Sequence, residues 1–174
     1  MTLRRCCFTG HRQIVPEDVE PLIHQLDAVL TALYSMGCRD FYAGGAMGFD
    51  TLAAERTIAF RNAHPDLRLI LMLPCRDQCR GWPTQDRARF SEILHACDVY
   101  RYVSERYDSR AMYRRNMALV EVSDVCVAYV RRAASGAGQT MRAAQRAGRT
   151  VINLADRMPD GAASIAERRE RETF

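Results

Sequence analysis

Apolar segments alternate along the chain with segments of helical periodicity. Short apolar runs predict six strands, at residues 6–8, 40–43, 67–73, 99–103, 125–130 and 150–154. Apolar residues spaced three or four apart, together with turn and cap residues, predict helices at about residues 16–36, 50–62, 85–96, 110–122 and 139–147. Pro16 suits the first turn of the first helix, Gly37 ends it, and Ser109 is expected to cap the fourth.

This strict alternation of strand and helix predicts an α/β protein, a Rossmann-like three-layer αβα sandwich with a mostly parallel sheet. The 174-residue length fits one domain, assigned to residues 1–155, and the polar residues 156–174 are expected to form a loop and a short helix. Ligands of such sheets bind beyond the carboxyl ends of the strands, where the strand order reverses. Three loops therefore hold the candidate site: residues 9–12, 44–50 and 131–140.

The loop after the second strand is rich in glycine and leads into a helix. Glycines let a ligand approach the backbone, and the unpaired amides of a helix start favour an anion. The alternative is a tight turn capped by Asp50 that binds nothing. The candidate ligand residues of this loop are Gly44, Gly45, Ala46, Gly48 and Asp50.

The loop after the fifth strand has the same character, with small residues and two hydroxyls. Met141 stands where the third glycine or alanine of a dinucleotide fingerprint belongs, so a standard NAD dehydrogenase is weakly supported. A flexible loop with a helix cap is the alternative to a ligand site. The candidate ligand residues here are Ser135, Gly136, Gly138 and Thr140.

The first strand ends at Thr9, Gly10, His11 and Arg12, where the arginine fork suits a phosphate. His11 is expected more as a structural residue than as a base.

On the fourth helix, successive residues diverge by about 100°, so only one arginine of the Arg114–Arg115 pair is expected to face a ligand. Arg115 and Asn116 are the candidates from this helix.

The loop at residues 74–83 is long enough to cover the cleft. Gln78 and Trp82 are candidate lid residues, and Trp82 stacking on a base competes with a tryptophan packed under its own loop.

Charge and cysteine usage narrow the chemistry. All 25 basic residues are arginine, which excludes Schiff-base lysine chemistry and a Walker-A loop. A net charge of +4, spread along the chain, does not favour nucleic acid. Seven cysteines without a framework predict a reducing, cytoplasmic location, and no signal peptide, membrane segment or metal site is expected.

Several separated motifs together resemble the YpsA-like proteins of the SLOG superfamily, whose other branches include DprA and the LOG phosphoribohydrolases. The resemblance covers residues 5–154 and implies a Rossmann-like fold that binds a nucleotide-type ligand, such as NAD, ADP-ribose or a nucleoside phosphate. It also implies cell-division proteins as partners, and a homodimer is the default expectation for such a fold. The motifs are Phe8–Arg12, Ala43–Asp50 with Ala53, Ala54 and Glu55, Arg115–Asn116, Ser123–Asp124, Ser135–Gly136 with Thr140, and the loop residues Pro74, Gln78 and Trp82.

The sequence does not decide between a binding protein and an enzyme. In LOG enzymes a catalytic glutamate ends the second glycine motif, and Ala143 occupies that position here. Asp50 and Glu55 are the candidate catalytic carboxylates, although capping a helix and binding a ribose are favoured for them. The leading hypothesis is a nucleotide-binding sensor or regulator, and the alternatives are a nucleotide-processing hydrolase and a DprA-like single-stranded DNA-binding protein.

Overall fold

The computed structural model describes residues 3–158 and confirms the predicted Rossmann-like α/β fold. Each of the five neighbouring strand pairs is parallel. The strands are β1 (Arg5–Gly10), β2 (Asp40–Ala43), β3 (Arg68–Leu73), β4 (Val99–Tyr102), β5 (Val125–Tyr129) and β6 (Thr150–Asn153), in the order β4-β3-β2-β1-β5-β6. The helices are α1 (Val19–Ser35), α2 (Phe49–Arg61), α3 (Thr84–Ala96), α4 (Ala111–Val122) and α5 (Gly136–Arg146), with short 3-10 helices at Pro16–Asp18 and Leu154–Arg157.

The sheet separates two helical layers of unequal size. Helices α1, α2 and α3 pack on one another on one face, and α4 and α5 pack on each other on the opposite face. The larger apolar core lies under the first layer, around Phe8, Phe41 and Phe49. The smaller core lies under the second layer and includes Cys7 and Cys126.

The strand order reverses at β1. From β1 the chain runs outward through β2, β3 and β4, then returns to the other side of β1 as β5. The connections that follow β1 and β5 both begin at the carboxyl ends of these two neighbouring strands. The first leads toward β2 and the second toward β6, so the two connections diverge and leave a gap between them. That separation is the topological switch point at which open α/β sheets bind their ligands.

Three helix starts differ from the sequence prediction. Helix α1 begins at Val19 rather than at residue 16, and Pro16–Asp18 forms a separate 3-10 helix before it. Helix α5 begins at Gly136 rather than at residue 139, because the Ser135 hydroxyl accepts a hydrogen bond from Gly138 N at 3.0 Å. Ser109 does not cap α4. The cap position belongs to Arg110, whose amide donates instead to Asp108 Oδ1 at 2.8 Å.

The predicted C-terminal extension is described only in part. Leu154–Arg157 forms a 3-10 helix, and the prediction for residues 159–174 lies outside the described residues. Between residues 3 and 158 there is no helix of sufficient length and apolar character to cross a membrane.

Candidate ligand-binding cleft

A cleft of about 660 Å³ opens at the switch point. Its walls come from the loops after β1, β2 and β5, from the start of α2, from α3 and from the inner side of α4. This volume falls in the usual range for small-molecule sites. The sequence-predicted residues that line it are Thr9, Gly10, His11, Arg12, Ala46, Asp50, Arg115, Asn116, Ser135 and Gly136.

Sequence reasoning missed several other lining residues. Arg132 adds a third arginine and Asp86 a second carboxylate, while Met47, Met112 and Pro83 add apolar surface. Arg132 belongs to the predicted site loop at residues 131–140, so the sequence did point to it. No pattern in the sequence indicates that α3 reaches the cleft. Gln13, Phe8, Leu119 and Ala137 complete the lining.

An ion pair between Asp50 and Arg115 forms part of the cleft wall. Nη1 of Arg115 donates to Oδ2 of Asp50 at 3.0 Å, and each side chain is 6% exposed. The same Oδ2 accepts the amide of Ala46 at 3.3 Å. Burial raises the pKa of Asp50 and lowers that of Arg115, and the attraction between the two charges opposes both shifts. The attraction within the pair therefore offsets part of the cost of burying the two charges.

The glycines of the β2–α2 loop allow this pair to form. A Cβ on Gly44 would lie 1.4 Å from Nη1 of Arg115 and 2.6 Å from Oδ2 of Asp50. Gly48 has a φ of +76°, and a Cβ there would lie 2.3 Å from the carbonyl oxygen of Arg12. Neither glycine lines the cleft, and neither does Gly45. These glycines therefore admit neighbouring protein groups, whereas the sequence had suggested that they admit a ligand.

Arg115 has an unpartnered edge. Its Nε is fully buried without a hydrogen-bond partner, and its Nη2 has no partner among residues 3–158. Four other arginines between residues 3 and 158 use their Nε and Nη2 together to hold a carboxylate, at 2.5–2.8 Å. They are Arg56 with Asp27, Arg68 with Asp40, Arg89 with Glu55, and Arg131 with Asp18. In Arg115 the edge suited to a two-oxygen anion has no protein anion.

The N-terminus of α5 forms the opposite wall. Gly136 and Ala137 line the cleft, and their amides at the first two helical positions donate to no group in the described part of the chain. Ser135 satisfies the next amide, that of Gly138. An anion at this wall would meet two free amides and the positive end of the helix dipole.

His11 joins the two loops on either side of the switch point. Its Nε2 accepts hydrogen bonds from the amides of Arg131 at 2.9 Å and Arg132 at 3.2 Å. The ring is therefore neutral, with its proton on Nδ1. Burial and the charge of Arg132 lower the pKa of His11 and favour this form. Because Nε2 already accepts two bonds, it is not available as a base.

A second contact between these loops was not predicted from the sequence. The buried carboxylate of Asp18 accepts hydrogen bonds from Arg131 Nε at 2.5 Å, from Arg131 Nη2 at 2.7 Å and from the Tyr129 hydroxyl at 2.6 Å. In the sequence, Asp18 appeared only as an acidic residue near a helix start. Together with His11, it fixes the connection after β1 to the connection after β5.

Other predicted site residues lie away from the cleft. Glu55 is held by Arg89 at 2.7 and 2.8 Å and is not among the lining residues. The buried Thr140 donates its hydroxyl to Gly136 O at 3.0 Å. Gly138 packs against the carbonyl of Ala133, where a Cβ would lie 2.2 Å away.

The two lid candidates anchor their loop to the rest of the molecule. Gln78 donates its side-chain amide to Gly45 O at 3.2 Å. Trp82 packs edge-on against Phe90, with ring centroids 5.7 Å apart, and lies against the larger core. Neither residue lines the cleft, and Pro83 reaches it from this loop instead. The structure thus matches the alternative of a tryptophan packed under its own loop.

The two adjacent arginines of α4 have different surroundings. Arg115 is buried in the cleft wall, whereas Arg114 bonds the Ser104 hydroxyl and the exposed carboxylate of Asp108. Within the described chain, no group of three or more histidine, cysteine, aspartate or glutamate residues is arranged to hold a metal ion.

Comparison with known proteins assigns the family. A model of the YpsA family, described as the YspA SLOG family, matches residues 8–150. The chain belongs to this family. Family relatives include the UPF0398 protein BH1768 of Halalkalibacterium halodurans, 31% identical over 97 residues, which are 55% of this chain and 51% of that protein. The UPF0398 protein of Bacillus cereus strain Q1 is 29% identical over 112 residues, 63% of this chain and 61% of the relative.

Solved structures of DNA processing protein A share the fold of this family member. The single-stranded DNA-binding protein from Helicobacter pylori gives a TM-score of 0.61 at 21% identity over 96% of this chain and 73% of that one. The protein from Streptococcus pneumoniae gives 0.63 at 17% identity over 95% and 56%. At these identities the likeness establishes the fold alone, and this chain spans little more than half the length of several of these relatives.

Proposed function

We propose that the cleft binds a nucleotide-type small molecule and that the protein acts as a ligand-binding sensor or regulator. The observation that carries the proposal is Nη2 of Arg115 in the cleft wall, which among the described residues is neither enclosed nor hydrogen-bonded. Four other described arginines use Nε and Nη2 to hold carboxylates. A buried guanidinium nitrogen without a partner costs about 1–3 kcal/mol or more. A phosphate oxygen would bind at Nη2, and a small shift of the guanidinium on binding would be needed to bring the enclosed Nε to a second oxygen.

The remainder of the cleft suits the rest of a nucleotide. Arg12 and Arg132 are exposed on its walls, and the free amides of Gly136 and Ala137 add neutral donors for phosphate oxygens. Met47, Met112 and Pro83 supply apolar surface for a base. NAD, ADP-ribose and nucleoside phosphates are the ligands proposed.

Calorimetric titration of these compounds, with mass spectrometry of small molecules released from the purified protein, tests the proposal. Arg115→Lys keeps the charge beside Asp50 but lacks the planar fork, so it should weaken a phosphate-bearing ligand about tenfold or more. Arg89→Lys is the matched control, because Arg89 uses the same edge outside the cleft. The proposal fails if none of the compounds binds and the purified protein carries no small molecule.

Hydrolysis of a nucleotide is the second candidate function, favoured by the buried carboxylate of Asp50 in the cleft wall. Negative charge beside the sugar would stabilise an oxocarbenium-like transition state. Chromatography of each bound nucleotide after incubation tests this function. Turnover by the wild type that disappears in Asp50→Asn, with binding retained, would support a hydrolase, and intact nucleotides would support a sensor.

Cell-division proteins and a second copy of the chain are further proposed partners, and DprA-like binding of single-stranded DNA is the remaining alternative. Each has a separate test. Binding of an oligonucleotide that weakens steeply with salt would indicate phosphate-backbone contacts. Affinity capture followed by mass spectrometry addresses cell-division proteins, and sedimentation analysis addresses the homodimer. A cytoplasmic location, proposed from cysteine usage, is checked by cell fractionation.

A further inference from the structure

The carboxylate of Asp50 has one oxygen engaged and one open. Oδ2 accepts both bonds, from Arg115 Nη1 at 3.0 Å and from Ala46 N at 3.3 Å. Oδ1 makes no hydrogen bond with any residue between 3 and 158. The described side-chain atoms that are both enclosed and unpartnered are Gln25 Oε1, Arg115 Nε and Arg149 Nε, and Oδ1 is not among them. Since Asp50 lines the cleft, Oδ1 is accessible from it.

An ionised carboxylate oxygen accepts hydrogen bonds and donates none. It repels a phosphate placed directly on it, so its partner in a bound ligand must be a neutral or cationic donor. Burial raises the pKa of Asp50, the charges of Arg115 and Arg12 oppose that shift, and Arg115 fixes the orientation of the carboxylate through Oδ2. The acceptor is therefore held in place before a ligand arrives, which limits the entropy lost on binding.

The open oxygen lies beside the proposed anion site. Asp50 and Arg115 are joined by an ion pair of 3.0 Å. A phosphate on the guanidinium of Arg115 and a hydroxyl on Oδ1 of Asp50 would therefore bind to adjacent groups. One ligand satisfies both groups when it carries an anion and a hydroxyl a few bonds apart. A sugar phosphate has this chemistry, because its ring hydroxyls lie close to the phosphate-bearing carbon.

We propose that Asp50 is a specificity-determining residue whose Oδ1 accepts a ring hydroxyl of the bound ligand, so that the cleft selects ribose-containing nucleotides over their deoxyribose counterparts. This inference rests on the proposed nucleotide binding and specifies the sugar. A hydrogen bond from a hydroxyl to a buried charged group favours the hydroxylated ligand about 10- to 100-fold.

The experiment compares the affinities of the four ribonucleoside 5′-monophosphates with those of their 2′-deoxy and 3′-deoxy counterparts, measured by calorimetry on the full chain. In the wild type, removal of one of the two hydroxyls should weaken binding about tenfold or more. In Asp50→Asn, the amide oxygen can still accept from Arg115, but the group facing the cleft becomes a neutral donor. The ratio of deoxy to ribo dissociation constants should then fall at least about threefold.

Asp86→Asn is the matched control. Asp86 also lines the cleft, but it lies in the first turn of α3 with no ion pair among the described residues. This variant should strengthen the binding of ribo and deoxy nucleotides alike and leave their ratio unchanged. If Asp50→Asn does not fold, the wild-type comparison remains: equal affinity for the ribo and deoxy series overturns the proposal, and a deoxy penalty supports a hydroxyl contact in the cleft.

The possible outcomes distinguish the role of Asp50 from nucleotide binding itself. Binding of ribonucleotides with equal affinity for both deoxy series would overturn the role of Asp50 and leave nucleotide binding intact. A deoxy penalty of equal size in Asp50→Asn would assign the hydroxyl contact to another residue. Absence of binding by every nucleotide and by ADP-ribose would overturn both proposals together.

Discussion

Nη1 of Arg115 on α4 lies 3.0 Å from Oδ2 of Asp50 on α2, although 65 positions separate the two residues. The two helices pack on opposite faces of the sheet, so this ion pair joins the two helical layers beyond the carboxyl ends of the strands. It passes directly over Gly44, where there is no space for a side chain. The proposed ligand binding and the stability of the protein therefore depend on the same few atoms.

Gly44→Ala should destabilise the protein and weaken ligand binding together. The added Cβ would overlap Nη1 of Arg115 and force the guanidinium or the loop to move, with an expected loss of about 1–3 kcal/mol in the free energy of unfolding. Chemical denaturation measures this loss. Gly136→Ala is the control, because a Cβ there meets no atom within 4 Å, and its stability should change by less than about 1 kcal/mol. Equal stability of the two variants would contradict the tight packing at Gly44.

Asp18→Asn should lower the free energy of unfolding by about 2 kcal/mol or more. Asp18 is buried and its carboxylate receives the fork of Arg131 and the hydroxyl of Tyr129, so an amide removes a charge-assisted network. Asp27→Asn removes a similar fork from Arg56, but these side chains are 40% and 34% exposed. This exposed pair should contribute less than about 1 kcal/mol. Denaturation midpoints that fall equally in the two variants would argue against a stabilising role for the Asp18 contacts.

Stability should fall with acidification through His11. Its pKa is lowered in the folded protein, so the unfolded chain binds the proton more readily. The stabilisation is complete above the ordinary value of 6.5 and is lost as the pH falls through the folded pKa. Protonation also removes the acceptor for the amides of Arg131 and Arg132. Thermal unfolding measured from about pH 7.5 to about pH 5 should show this fall.

A His11→Gln variant tests the origin of the fall. The glutamine carbonyl can accept an amide hydrogen bond but does not titrate, so the variant should show a shallower decline in melting temperature on acidification. The exposed His24→Gln variant controls for the loss of a histidine elsewhere. A decline that is as steep in His11→Gln as in the wild type would show that other groups govern it.

Arg12→Gln should weaken phosphate-bearing ligands by a smaller factor than Arg115→Lys, about three- to tenfold at low salt. Arg12 is exposed on the cleft wall, where its charge is screened by solvent and ions. Calorimetry at two salt concentrations should show the wild-type affinity falling toward that of the variant as salt increases. The exposed Arg146, at the end of α5 and outside the cleft lining, is the matched site for a control substitution to Gln. A salt-independent difference would contradict this screened contribution.

The sequence by itself determined the fold class and the place of the candidate cleft. The regular alternation of apolar strands and periodic helices leaves few topologies. The predicted bounds agree with the structure to within one residue at five strands, β2 to β6, and at helices α2, α3 and α4. In a parallel sheet the loops that follow the strands lie at one edge, so the sequence alone assigns residues 9–12 and residues 131–140 to a common cleft. The predicted start of α5 was wrong, because a serine followed by two glycines is as typical of a loop as of the first turn of a helix.

The partner of each polar side chain was decided only by the tertiary structure. Asp50 and Glu55 are equivalent as candidates in the sequence, yet one lies in the cleft wall beside Arg115 and the other pairs with Arg89 away from the cleft. Likewise, Trp82 is equally suited by sequence to a base or to a core, and Phe90 lies against it. Local patterns fix periodicity and chain direction, because they depend on near neighbours. Ion pairs depend on groups tens of residues apart, and only the packing of the two helical layers brings those groups together.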